Sequence, residues 1–366
     1  MEQLISGVGA DKRADKLLEA RMKLEEQLRR KVRSQAKADS TADAYWYWTE
    51  RFLRFAKDKR GQWVDPKEMG KRQVEIFLSH LANNENVSAN TQNQAFSALC
   101  YLYRHVLVQP LEGVSSLRAK APQRIRDVLD QSELVALFEG LSGVALLVAR
   151  MMYASGFRIG EVGRLRIKDL SFERHQIVIH GAKGEKDRLV GFPDSIHDQV
   201  RRQIESMEVL WRHDVADGLN GVSLPRAYGR KCPSAHLDFA WWYLFAADSY
   251  SKCPASGRLL RHHRDMAHIG RQISYASKRA GIRKKISSHC LRHSFGTHSV
   301  ESGVPVHFVQ KLMGHVDIRT TEGYLHASKD GATAAKSPLE SLLANPQARQ
   351  HQRDSEITPS LKIYAG

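Results

Sequence analysis

The sequence predicts a mainly α-helical protein with a small antiparallel β-sheet, divided into two domains. Three observations carry that prediction. The 366 residues suit two domains better than one. Apolar residues recur at helical spacing along most of the chain, in stretches poor in Gly and Pro. One segment, His175–Pro193, instead shows two short strand patterns around a turn containing Gly184.

Charge narrows the function classes. Lys and Arg total 56 against 40 for Asp and Glu, a net +16, which favours a polyanionic partner modestly over a merely basic surface. No apolar run approaches the roughly 20 residues of a membrane span. The N-terminus lacks the basic-then-apolar pattern of a secretion signal, so a cytoplasmic protein with no membrane partner is expected. The four cysteines, Cys100, Cys232, Cys253 and Cys290, form no CxxC. Cys232, Cys253 and the His262–His263 pair match no common metal spacing, so no metal site is expected.

Residues 1–39 are read as a basic extension. Within it, 11–37 has no Gly or Pro and predicts a helix. Its end carries Arg29, Arg30, Lys31, Arg33 and Lys37 with no acid among them, which suits a DNA-contacting arm and a solvated face equally. Residues 40–117 form a small all-helical domain, with Trp46, Trp48, Phe52, Leu53 and Phe55, then Val74–Ala82, then Ala98–Val108 on apolar faces. The helix starting near Ser88 carries Gln92, Asn93 and Gln94 on its first turns. Such amides can read adenine edges, or simply begin a polar surface helix. Residues 118–127 are a linker without periodicity, in which Arg118, Lys120 and Arg124 could lie along a phosphate backbone.

A second domain, 128–345, opens with Asp130 and Glu133 spaced as a capping box. Gly143–Gly156 reads as a buried helix ending at a glycine. The strand pair follows, and helices are expected to dominate from there to about Leu343. Residues 346–366 form a tail rich in Pro, Gln, Arg and Ser.

Several residue pairs invite chemistry. Glu161 stands three residues after Arg158, so it can orient that guanidinium on a helix. Lys183 sits at the strand turn between Gly181 and Gly184. His289 and Arg292, three apart, share one helix face. His315 precedes Tyr324 by nine residues. A tyrosine hydroxyl, with a pKa of about 10, needs activation before it can attack anything at neutral pH. Singly, each feature is ordinary: an ion pair, a solvated lysine, a surface pair.

In order, they are not. "GFRIGEVGRL", "GAKGEKDRLV", "HCLRHSFGTH" and "LMGH" followed by "TTEGYLH" together resemble the boxes of the tyrosine recombinases. The resemblance implies a SAM-like helical N-terminal domain and a catalytic domain closing on DNA as a C-shaped clamp, with a homotetramer as the working assembly. It implies Arg158 and Arg292 on the non-bridging oxygens of a phosphodiester, where bidentate guanidinium contacts hold the charge of the transition state. Lys183 would protonate the leaving 5′-oxygen, His289 would take the tyrosine proton, and His315 would position the phosphate. Tyr324 would be the nucleophile and form a 3′-phosphotyrosine link. Glu161 would support Arg158. No cofactor or metal is called for.

Further stretches, "NVSANTQNQAFSALCYLYRHVL", "RAKAPQR" and "SPLESL", are similar to the integron integrase branch of that family. The 105 residues between Lys183 and His289 leave room for that branch's additional segment, at about 205–265. Trp241 matches its base-stacking Trp, and His262 and His263 match its supporting pair, which implies folded single-stranded recombination sites beside duplex ones. The chain departs from the branch in having Ala246 after Phe245 where Pro is usual. Alternatives are a Xer- or phage-type recombinase confined to duplex sites, and a non-catalytic DNA-binding protein.

Overall fold

The computed structural model describes residues 5–35, 37–57, 64–113, 127–181, 187–219, 221–253 and 256–314. They fall into two compact units, one on each side of residue 124.

The first unit is all helical: α1 (Ile5–Ser34), α2 (Asp39–Phe55), α3 (Lys71–Asn83) and α4 (Ala89–Tyr101), the last running on into a π-helical turn at Leu102–Val106. Its core is built from the rows the spacing marked. Trp46, Trp48 and Phe52 of α2 meet Phe77 and Leu81 of α3 and Phe96 and Leu99 of α4. Leu28 and Val32 of α1 are fully buried in the same core. The packing unit thus reaches back into the segment read as an extension. The basic end of α1 is partly paired within the unit: Arg29 bonds Glu25 and Asp43 at 2.8 and 2.6 Å, and Arg33 bonds Asp39 at 3.0 Å. Ser88 caps α4, accepting from the Thr91 N–H at 3.2 Å. Gln92 donates its amide to the Leu78 carbonyl at 3.0 Å, so it ties α4 to α3.

The second unit begins with α5 (Gln131–Glu139), α6 (Gly143–Ser155) and α7 (Ile159–Arg164). Asp130 and Glu133 close the expected capping box, the Asp130 N–H donating to Glu133 at 2.8 Å. A three-stranded antiparallel sheet follows: β1 (Leu170–Ser171), β2 (Gln176–Ile179) and β3 (Arg188–Gly191), in register with Ile177 opposite Val190. Then come α8 (His197–Ala216) and the short α9 (Arg226–Lys231). Here the structure departs from the expected run of helices. β4 (Ala246–Lys252) and β5 (Leu259–His263) form a second antiparallel hairpin. Its strands carry too little apolar alternation to announce themselves. Arg261 stands in β5 where an apolar residue would be expected, and it is buried against Asp214 of α8 through two bonds of 2.6 Å. The chain continues through α10 (Met266–Arg279), α11 (Ser288–Glu301) and α12 (Val306–Met313).

Helix α6 is the axle of this unit. Every residue from Ala145 to Ser155 is buried, with α5, α10 and α11 packed around it. It ends at Gly156, whose φ of 67° is left-handed. An added Cβ there would stand 2.5 Å from the Phe295 ring, so both backbone and space require glycine. Among the described residues no helix is long and apolar enough to cross a membrane.

Candidate active site

Directly after Gly156 the chain places Arg158 at the N-terminus of α7. Glu161, one turn on, folds back over it. One carboxylate oxygen accepts from the Arg158 N–H at 2.7 Å and the other from its guanidinium at 2.9 Å. Arg188 of β3 donates Nη2 to Glu161 at 2.7 Å, and Arg292 of α11 brings Nη1 to 3.9 Å from the same oxygen. Three guanidiniums thus surround one buried carboxylate. Burial alone would raise the Glu161 carboxyl. The Arg188 hydrogen bond, the Arg158 N–H and the two charges outweigh it and hold the group below its ordinary range.

The same arginines grip the end of α12. Arg188 Nε donates to the Leu312 carbonyl at 2.9 Å, Arg292 Nη2 to that of Met313, and Arg158 Nη2 to that of Gly314 at 3.3 Å. Carbonyls at a helix C-terminus lack intrahelical partners, and the helix dipole makes them a favourable place for cations. Gly314 stops α12 in a left-handed conformation, with Arg188 atoms 3.1 Å from where a Cβ would stand. Arg292 also donates Nη1 to the Gly156 carbonyl at 2.5 Å and keeps only 4% of its side chain exposed, whereas Arg158 keeps 33%. The cluster is therefore rigid behind and open in front, and can hold an oxyanion by charge and hydrogen bonds together.

The structure brings Arg158 and Glu161 together, as their spacing predicts, and places Arg292 beside them, as the resemblance implies. His289 lies exposed on the first turn of α11, its ring 6.4 Å from that of His293. Lys183, His315, Tyr324, Arg118, Lys120 and Arg124 lie outside the described residues. Arg188 was not anticipated. Its signal was alternation: it shares a strand face with buried Val190, an odd place for an arginine unless something there needs a cation.

A second neighbourhood lies around Trp241. A cleft of about 340 Å³ is lined by Trp241, Tyr243, Arg164, Lys168, Asp169 and His180, among others. Trp241 is half-buried and Trp242 fully buried. Lys168 Nζ stands 4.4 Å from the Trp241 ring centre, and Tyr228 packs on that ring at 4.2 Å. Buried Arg166, also not anticipated, donates to the Trp241 carbonyl at 2.5 Å, the Ser223 carbonyl at 2.7 Å and the Tyr243 hydroxyl at 3.2 Å. Tyr243 in turn meets the His263 ring edge-on at 5.5 Å. The Ser223 hydroxyl reaches His262 Nδ1 at 3.5 Å. Burial, with the charge of His263, keeps the His262 imidazole below its ordinary pKa. Ala246 is fully buried opposite His263 across the hairpin, so the residue in the place of the usual Pro belongs to the core.

Comparison with known proteins agrees with this architecture. Residues 127–330 match the model of the phage integrase family, and residues 24–112 match the phage integrase N-terminal SAM-like domain. An integrase/recombinase of Escherichia coli is 37% identical over 322 residues, covering 88% of this chain and 94% of that protein. The tyrosine recombinase XerD of Ralstonia nicotianae is 27% identical over 284 residues, 74% of this chain and 79% of that one. Among solved structures, a lambda integrase dimer bound to a core site superposes with a TM-score of 0.55 at 11% identity, covering 85% of this chain and 99% of that one. The XerH recombinase on its difH substrate gives 0.52 at 20%, covering 77% and 75%. Both share the fold. The chain belongs to the phage integrase family and is a tyrosine site-specific recombinase, an enzyme that cleaves and rejoins DNA.

Proposed function

We propose that this recombinase is an integron-type integrase that inserts and excises gene cassettes, acting in the cytoplasm as a homotetramer on DNA. Its sites would be folded single strands as well as duplex. Arg158 and Arg292 hold the scissile phosphate, with Glu161 and Arg188 fixing them from behind. His289 takes the proton of Tyr324, Lys183 protonates the leaving oxygen, and His315 positions the phosphate. Residues 40–117 bind DNA as the core-binding domain and residues 118–127 carry basic contacts between it and the catalytic domain.

The observation that carries the branch assignment is the cleft beside Trp241. It joins an aromatic wall, two cations and the strand bearing His262 and His263 through Arg166, Ser223 and Tyr243. A base extruded from a folded strand needs such a surface, since stacking and charge hold it without a pairing partner. A duplex-only recombinase is the second reading, favoured by Tyr228, which already packs on Trp241.

Covalent trapping separates the two. The protein is mixed with a labelled hairpin bearing unpaired bases and with the same sequence as perfect duplex. A denaturant-resistant adduct that favours the hairpin and disappears in Tyr324→Phe supports the integron reading. An adduct on duplex alone leaves the chemistry standing and sinks the branch assignment.

A further inference from the structure

Beside the three-stranded sheet, three side chains from separate segments converge. His175 ends the β1–β2 turn, Asp194 follows β3, and His197 opens α8. One ligand atom from each lies within 4.8 Å of the other two. His175 Nδ1 is 2.6 Å and His197 Nδ1 3.5 Å from the same Asp194 oxygen. The two imidazoles stack at 5.3 Å, 21° from parallel.

Two further features set this cluster apart from a chance surface pair. His197, 9% exposed, has its Nε2 3.1 Å from the Phe192 carbonyl. A carbonyl only accepts, so Nε2 carries the proton. That bond fixes the ring and leaves Nδ1 facing the Asp194 carboxylate. A carbonyl holding the outer N–H of a histidine is also the arrangement that orients metal-ligating imidazoles. The second feature is His175 itself, which takes a left-handed φ of 50°. That costs a residue with a Cβ, and the conformation aims its ring at Asp194. Among the described residues, the ionic partners of Asp194 are these two histidines, with no lysine or arginine at ion-pair distance.

We propose that His175, Asp194 and His197 form a binding site for a first-row divalent cation of the zinc class. Two imidazole nitrogens and one carboxylate oxygen suit Zn²⁺, while Mg²⁺ and Ca²⁺ prefer all-oxygen shells. A tetrahedral ion with bonds of about 2.0 Å wants its ligand atoms about 3.3 Å apart. The exposed His175 and Asp194 side chains can turn to reach that spacing around the fixed His197. The site is structural, since it stitches the β1–β2 turn to the segment joining β3 and α8, and so fastens the base of the hairpin.

The test is calorimetric titration of the full-length chain with Zn²⁺ alone, repeated with Co²⁺ for its visible absorption. The wild type should take up one ion more than His175→Ala or Asp194→Asn, or bind it at least tenfold more tightly, and its Co²⁺ spectrum should show tetrahedral bands that both variants lose. His213→Ala, which removes an exposed His–Asp pair elsewhere on α8, should bind as the wild type does. Equal stoichiometry and affinity in the wild type and the two site variants would overturn the site, as would absence of binding or an equal loss in His213→Ala. Both site variants alter exposed side chains, so misfolding does not blur the comparison.

Discussion

Arg188 and Glu161 form an ion pair of 2.7 Å in which the carboxylate keeps 5% and the guanidinium 11% of its side-chain surface exposed. Because Glu161 also holds Arg158, removing Arg188 leaves a buried carboxylate with too few partners. Arg188→Ala should cost about 3–5 kcal/mol of stability, by the usual penalty for breaking a buried pair. It should also lower strand cleavage at least tenfold at saturating DNA. Denaturant unfolding and single-turnover cleavage check the two effects. A variant as stable as the wild type would contradict the pairing.

The depressed Glu161 carboxyl sets a direction for acid stability. A carboxylate whose folded pKa lies below its unfolded value of about 4.3 contributes stability above that value and loses it as pH falls through the folded pKa. The wild type should therefore lose more stability than Glu161→Gln on acidification below about pH 5. Thermal melts of both proteins across that window give the answer. Parallel curves would mean that Glu161 contributes nothing there.

Gly156→Ala combines a left-handed backbone with a Cβ driven against Phe295. The destabilisation should exceed about 1 kcal/mol. Adding Phe295→Leu should recover part of it, since the crowding shrinks while the backbone strain stays. Thermal denaturation of the single and double variants separates the two contributions.

The adjacent tryptophans should part company. Trp242 is fully buried, so Trp242→Ala should cost about 3–5 kcal/mol of stability. Trp241 lines the cleft, and its alanine variant should melt nearly as the wild type does. On hairpin DNA with unpaired bases it should lose about 1–3 kcal/mol of binding, a factor of roughly 5 to 150, with little change on duplex. Fluorescence anisotropy on both DNAs measures the contrast.

Asp214→Ala would strand Arg261 beneath the β4–β5 hairpin, where neighbouring Tyr250 stacks on the guanidinium at 4.2 Å. A loss of about 3–5 kcal/mol is expected. Asp214→Ala with Arg261→Leu should recover most of it, because the uncompensated charge goes too. Urea titration of the pair checks this.

Much of this was readable from residue order. Asp130 with Glu133 announced a capping box, the run from Gly143 to Gly156 announced a buried helix, and the three-residue step from Arg158 to Glu161 announced their contact. Spacing works there because partners lie within one helical turn. The β4–β5 hairpin was not readable. Its buried face is held by an ion pair between Arg261 and Asp214, 47 positions apart, and a long-range pair leaves no local period. Arg166 escaped for the same reason, since its acceptors at Ser223 and Trp241 are 57 and 75 positions away. Arg188 fell between: its strand face was a clue, but its partners Glu161 and Leu312 lie 27 and 124 positions off in opposite directions.

The carbonyls of Leu312, Met313 and Gly314 are taken by arginines from β3, α11 and α7 respectively. This arrangement works as an interlock. Until α12 has docked, each of the three guanidiniums lacks one acceptor, although Glu161 and the Gly156 carbonyl already hold them from the other side. A chain with its core folded but α12 adrift would hold these arginines less firmly, and should cut DNA poorly. Completion of the arginine cluster is thereby tied to the docking of α12.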